Sequence, residues 1–163
     1  MKIYEERRLK LTENLGGDIA VIIPGSVLAN RSNDTAYPFR QDSNFYYLSG
    51  FNEPDSTLMI IRKSGKTNSI GFVPKKDKLK EIWDGFRYGP EGMKSDFDFN
   101  DAFNNDEIDE LLPDLLDGVS CVYYPFGKVD GFDQKVINWT KKANSKDRHS
   151  KKIEISDISK ILG

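Results

Sequence analysis

At 163 residues the chain has the size of one ordinary globular domain, long enough to bury a single core. Its 26 acidic and 24 basic residues leave a net charge of −2, which excludes the strong positive field that holds a nucleic acid or an anionic bilayer. An apolar content of 37% with 12% aromatics excludes disorder as the main state, and no apolar run approaches the roughly 20 residues of a membrane-spanning helix. The amino terminus is amphipathic rather than signal-like, so we expect a cytoplasmic protein. With Cys121 as its one cysteine no intrachain disulfide forms, and that residue, set in an apolar run, is expected to be buried.

Tyr4, Leu11 and Leu15 share one helical face and Gly16-Gly17 stops it, so the chain opens with a helix. Ile19 to Ile23 is a continuous apolar run bounded by Asp18 and Pro24-Gly25, the pattern of a strand covered on both faces. Thr57 to Ile61 reads the same way, and Ser69 to Val73 is a further strand joined to it through the turn Lys63-Ser64-Gly65-Lys66. Between the first two strands lies the polar, aromatic segment Arg31 to Phe51. Ile108, Leu111, Leu112, Leu115 and Leu116 fit the helical template, with Pro113 predicting a kink or restart and Gly118 a stop. A strand over Val119 to Tyr124 follows, then a helical stripe of Phe132, Val136, Trp139 and Ala143. A basic polar loop from Lys141 to Lys152, a short strand Ile153 to Ile155 and a helix-start signal at Ser156 close the chain. This order predicts an α/β fold, a mixed sheet flanked by helices.

Of the residues for common catalytic centres only carboxylates are plentiful, which leaves a carboxylate-only site open, and none shows a distinctive spacing. A hydrolytic metal centre needs several converging His, Cys, Asp or Glu ligands, and a nucleophilic triad needs a base. The single histidine, His149, lies in a polar basic stretch with no apolar periodicity and reads as a solvated loop residue. There is no P-loop, dinucleotide fingerprint, HExxH or CxxC.

Two stretches differ from generic surface by mixing aromatic rings with charges. One runs from Arg31 through Asp34, Tyr37, Arg40, Asp42, Asn44 and Phe45 to Phe51; the other is Glu81-Ile82-Trp83-Asp84-Gly85-Phe86-Arg87-Tyr88-Gly89. Arginine forks pair with carboxylates such as Asp34 or Asp42 and stack on rings, so the first stretch is read either as a rigid functional loop or as a device that orders a connection between strands.

The run Tyr37-Pro38-Phe39-Arg40-Gln41-Asp42-Ser43-Asn44-Phe45-Tyr46-Tyr47-Leu48-Ser49-Gly50-Phe51, followed by Asn52-Glu53-Pro54-Asp55 and preceded by Arg31 and Asp34, resembles the amino-terminal domain of the Xaa-Pro aminopeptidases. The second stretch, with Trp83, Arg87 and Gly89, is similar to that domain at the matching place. Prolidases and creatinases form the wider family. The resemblance implies a ribonuclease H-like domain over residues 1–163, expected to precede a pita-bread catalytic domain that lies after Gly163 and outside this chain. It implies a parent enzyme that removes the residue before a proline, using two manganese ions on an Asp, Asp, His, Glu, Glu set. No residue of this chain matches that set, so no catalytic residue, metal ligand or bound cofactor is expected here and the chain alone is expected to be inactive.

For this domain the resemblance implies subunit association in a homo-oligomer, packing on the catalytic domain and walling of the entrance taken by peptides with proline second. Trp83, Arg87 and Tyr88 are the entrance or interface candidates. Arg31, Asp34, Tyr37, Arg40, Asp42, Asn44, Phe45 and Phe51 form the structural motif loop. Whether Trp83 is an interface or a core residue stays open at this point. A stand-alone interaction module of the same fold, or the corresponding domain of a prolidase or creatinase-type hydrolase, is the alternative.

Overall fold

The structure, a computed structural model, describes residues 2–28, 39–146 and 152–162. Its organising strand is β1 (Ile19–Pro24), all six residues of which are buried. Ala20 and Ile22 enter one apolar cluster, whereas Ile19, Val21 and Ile23 enter another on the opposite face. A strand's side chains alternate between faces, so covering both faces demands the continuous apolar run that the sequence carries.

β2 (Thr57–Lys63) lies antiparallel to β1, with Ile19 opposite Arg62 and Pro24 opposite Thr57. β3 (Lys66–Val73) returns antiparallel to β2 through Ser64 and Gly65, both at positive φ (51° and 77°). Two left-handed central residues match the right-handed twist of the flanking strands, so the hairpin forms locally. β4 (Asp101–Asn104) adds parallel to β3, while β5 (Cys121–Tyr124) and β6 (Glu154–Asp157) extend the other side of β1 in parallel. Among the described residues the sheet has six strands in the order β4-β3-β2-β1-β5-β6, and β2 alone runs against the rest.

Helices cover both faces. On one side α1 (Lys2–Leu15), α2 (Ser43–Ser49) and, beyond α3 (Lys78–Asp84), α4 (Gly89–Phe97) supply Leu11, Phe45, Leu48, Met93 and Phe97 to the core. On the other, α5 (Ile108–Leu115) and α6 (Phe132–Lys146) supply Leu112, Val136 and Trp139. A short α7 (Ser159–Leu162) follows β6. Arg8 is fully buried and ties α1 to three other parts of this layer. Its guanidinium donates to Ser69 Oγ (2.8 Å), the Leu48 carbonyl (2.9 Å) and the Asp98 carbonyl (2.8 Å), and lies 4.2 Å from the Phe99 ring centre. Burial lowers its pKa to about 10, which leaves it charged at neutral pH.

Several local expectations are revised. Pro113 does not restart α5, which runs unbroken to Leu115. The proline sits in the last turn, so the one bond it forfeits belongs to the carbonyl of exposed Asp109, and the Leu116 N–H turns back to Leu112 and Pro113 carbonyls (3.2 and 3.3 Å). α6 continues through Lys146 where a loop was expected from Lys141, because Lys141, Lys142 and Ser145 mark its solvated side while Ala143 prolongs the buried stripe. His149 lies outside the described residues. Cys121 is half-buried rather than buried: β5 sends Val122 and Tyr124 into one core and leaves Cys121 at the border of the other. Finally, the polar, aromatic segment before β2 contains α2, and α3, α4 and β4 occupy a region for which periodicity predicted no element.

Candidate functional site

The motif loop is held by a side chain that the sequence reading quoted but did not single out. Gln41 is buried, and its Oε1 accepts from the Ser26 N–H (2.9 Å) and the Asp42 N–H (3.1 Å). Its Nε2 donates to the carbonyls of Phe51 (3.1 Å) and Glu53 (2.9 Å). One amide thus satisfies four backbone groups from three chain segments, two of them, the Phe51 and Glu53 carbonyls, buried. Asp42 then caps α2, accepting from the Phe45 N–H at 2.9 Å, and its other oxygen pairs with Lys128 Nζ at 2.6 Å. The aspartate therefore meets a lysine rather than the arginine fork that the sequence suggested. Gly50 ends the helix at φ 69°, and a Cβ there would lie 2.6 Å from the Tyr4 ring, so only glycine fits. Phe45 and Phe51 are fully buried core residues, and Asn44 is half-buried on α2.

Arg40 is exposed and lines an open cleft with Arg7, Phe39, Tyr46 and Tyr47. Arg31, Asp34 and Tyr37 lie outside the described residues. The loop's described part is thus chiefly a structural device that builds α2 and delivers Phe51 and Glu53 to the second motif.

That second motif starts with α3, where Asp77 caps the Leu79 N–H at 3.0 Å and Gly85 closes the helix at φ 88°. Leu79, Ile82 and Trp83 fall at i, i+3 and i+4, the spacing of an apolar helix face, yet none of the helix is buried. Trp83 is 87% exposed, Leu79 74%, Ile82 73% and the following Phe86 61%. Trp83 is therefore not a core residue of this chain. Burying such side chains is worth roughly 1.5–3 kcal/mol each, and within this chain all four stay in water.

The stem of this segment is anchored. Glu81 Oε1 accepts from Lys76 Nζ (2.7 Å) and from the Arg87 N–H (3.0 Å), and Lys76 also donates to the Arg87 carbonyl (2.8 Å) while lying 4.3 Å from the Phe86 ring centre. Tyr88 is half-buried: its ring packs edge-on against Phe86 and Phe97 (4.9 Å each) and tilts toward Phe51 at 6.0 Å. Arg87 is also half-buried and donates to the Phe86 carbonyl at 3.1 Å.

Glu53 joins the two motifs. It is 7% exposed; its Oε2 accepts from the Tyr88 N–H at 2.9 Å, and its Oε1 has no hydrogen-bond partner among the described residues. Burial pushes this carboxyl above the usual range, opposed by the Tyr88 hydrogen bond and by the charges of Arg87 and Lys76. Sequence reasoning found Trp83, Arg87 and Tyr88 by motif but missed Gln41, Glu53, Lys76 and Glu81. The two glutamates and the glutamine stood inside or beside the quoted motifs, and that adjacency was the available signal.

Among the described residues no group of three or more His, Cys, Asp or Glu side chains could hold a metal ion. The described residues offer no such set, and no catalytic step is assigned to them. No helix among them is long and apolar enough to cross a membrane.

Comparison with known proteins identifies the family and agrees with the fold. The family model of the aminopeptidase P N-terminal domain matches residues 4–123. The Xaa-Pro aminopeptidase of Haemophilus influenzae is 34% identical over 121 residues, covering 74% of this chain and 28% of that protein. Xaa-Pro aminopeptidase 3 of Rattus norvegicus is 38% identical over 117 residues, covering 69% of this chain and 23% of that protein. In three dimensions, aminopeptidase PepP of Pseudomonas aeruginosa superposes with a TM-score of 0.89 at 31% identity, over 98% of this chain and 36% of that one. The chain spans about a quarter of the length of the curated relatives it matches.

Proposed function

Because the chain belongs to the family of aminopeptidase P N-terminal domains, we propose that it is the non-catalytic domain of a metal-dependent Xaa-Pro aminopeptidase and contributes to subunit association and to restricting access to the active site. Catalysis, including the two manganese ions, belongs to a separate pita-bread domain that removes the residue preceding a proline. A cytoplasmic setting accords with a single cysteine in 163 residues.

The observation that carries this reading is the exposed apolar group of Leu79, Ile82, Trp83 and Phe86 on an anchored stem. An anchored aromatic projection supplies contact area without paying again for ordering, which suits the wall of a neighbouring subunit's substrate entrance. The homo-oligomer, the catalytic domain packed on this one and the peptide substrate with proline second are the partners of this reading.

The test has two arms. The 163-residue chain, supplied with manganese, should release no amino acid from an Xaa-Pro peptide; robust metal-dependent release would defeat the non-catalytic assignment. In the aminopeptidase that carries this domain, Trp83→Ala should shift the sedimentation profile toward smaller species at equal concentration. An unchanged profile would remove the association role.

A further inference from the structure

We infer that Glu53 is the positioning residue of the Trp83 segment, holding the Tyr88 amide so that the exposed aromatic group stands at a fixed place relative to the sheet. This deepens, and rests on, the proposed role of that segment as an interface and entrance wall.

The anchors divide by where they come from. Lys76 and Glu81 flank the segment in sequence, and their bonds to Arg87 shape it internally. Tyr88 runs directly into α4, and from outside the segment it is met by the Phe51 and Phe97 rings and by Glu53, which reaches it from 35 positions away. Ring contacts tolerate sliding and rotation, whereas a hydrogen bond to one backbone N–H sets position and direction together. A carboxylate makes that bond strongly because its charge assists it.

Glu53 is itself held. Its carbonyl accepts from Gln41 Nε2 at 2.9 Å, so one line of contacts runs from the β1 exit at Ser26, through Gln41 and Glu53, to Tyr88. The line couples the two family motifs physically. The carboxylate is also costly where it stands, being buried with Oε1 unpartnered among the described residues. A residue chosen for packing alone would not carry that cost, and buried unsatisfied groups concentrate where function demands them.

The test compares Glu53→Ala and Glu53→Gln with the parent by amide hydrogen exchange on the 163-residue chain. Glu53→Ala should speed exchange at Tyr88 about tenfold or more while β1 and β2 amides keep their protection; Glu53→Gln retains an oxygen acceptor and should recover most of the loss. Unchanged exchange at Tyr88, or equal loosening of the whole sheet, would overturn the inference. In the aminopeptidase that carries the domain, Glu53→Ala should raise KM for an Xaa-Pro peptide more than it lowers kcat. Trp83→Ala should do the same, and the double variant should be no worse than Trp83→Ala alone. Full additivity would overturn the positioning role. A released Tyr88 amide with KM unmoved in both single variants would uphold the anchor and defeat the proposed entrance wall, so the two failures are distinguishable.

Discussion

A single buried amide ties the described part of the motif loop together. Truncating Gln41 leaves the Ser26 and Asp42 N–H groups and the Phe51 and Glu53 carbonyls without their partner. Since each net hydrogen bond is worth about 1 kcal/mol and each stranded buried group costs about 1–3 kcal/mol, Gln41→Ala should destabilise the chain by roughly 3 kcal/mol in urea unfolding. Glu53 makes a pH prediction. Its folded pKa is raised above its unfolded value, so the folded chain binds that proton more tightly. The cost of holding it ionised, facing Arg87, Lys76 and Glu81, is full above the folded pKa and fades as pH falls through it. Glu53→Gln should therefore be the more stable chain at about pH 7, with the difference narrowing as pH falls through the folded pKa toward the ordinary carboxylate range when thermal midpoints are compared. Neither role was legible beforehand. A glutamine or glutamate within a polar run looks the same whether it faces water or satisfies a backbone.

Elements were legible where periodicity was long or two-sided. The apolar run of β1 and the i, i+3, i+4 stripe of α5 needed only local counting, because each strand or helix face meets a core that the rest of the chain supplies. α2 was hidden because it is seven residues long, buries only Phe45, Leu48 and Ser49, and turns Tyr46 and Tyr47 outward. Its ends, Asp42 and Gly50, are standard cap residues that a reader alert to capping recognises. α3 was hidden for the opposite reason: its apolar face is not in the core at all. α1 depends on a buried cation. Arg8→Lys keeps the charge but loses the planar fork that reaches Ser69, Leu48 and Asp98 at once, and should cost at least about 2 kcal/mol by denaturant titration. A helical arginine beside Arg7 gave no hint of this burial, since arginine is rarely fully buried.

At the scale of the molecule, the mixed sheet with helices on both faces followed from the order of strands and helices. Strand order and the parallel additions of β4, β5 and β6 did not, because they depend on contacts between residues far apart in sequence. The fold buries its own core on both faces and still leaves Leu79, Ile82, Trp83 and Phe86 in water, so these residues contribute little to folding. Trp83→Ala should leave unfolding free energy within about 0.5 kcal/mol, as surface substitutions do. Under the proposed function its effect belongs to the assembled enzyme. The decisive measurement is kcat/KM of the aminopeptidase that carries this domain for a short and a long peptide with proline second, with and without Trp83→Ala. An entrance wall predicts that the substitution narrows the preference for the short peptide several-fold while the stability of the 163-residue chain holds. An unchanged ratio between the two peptides would contradict the account.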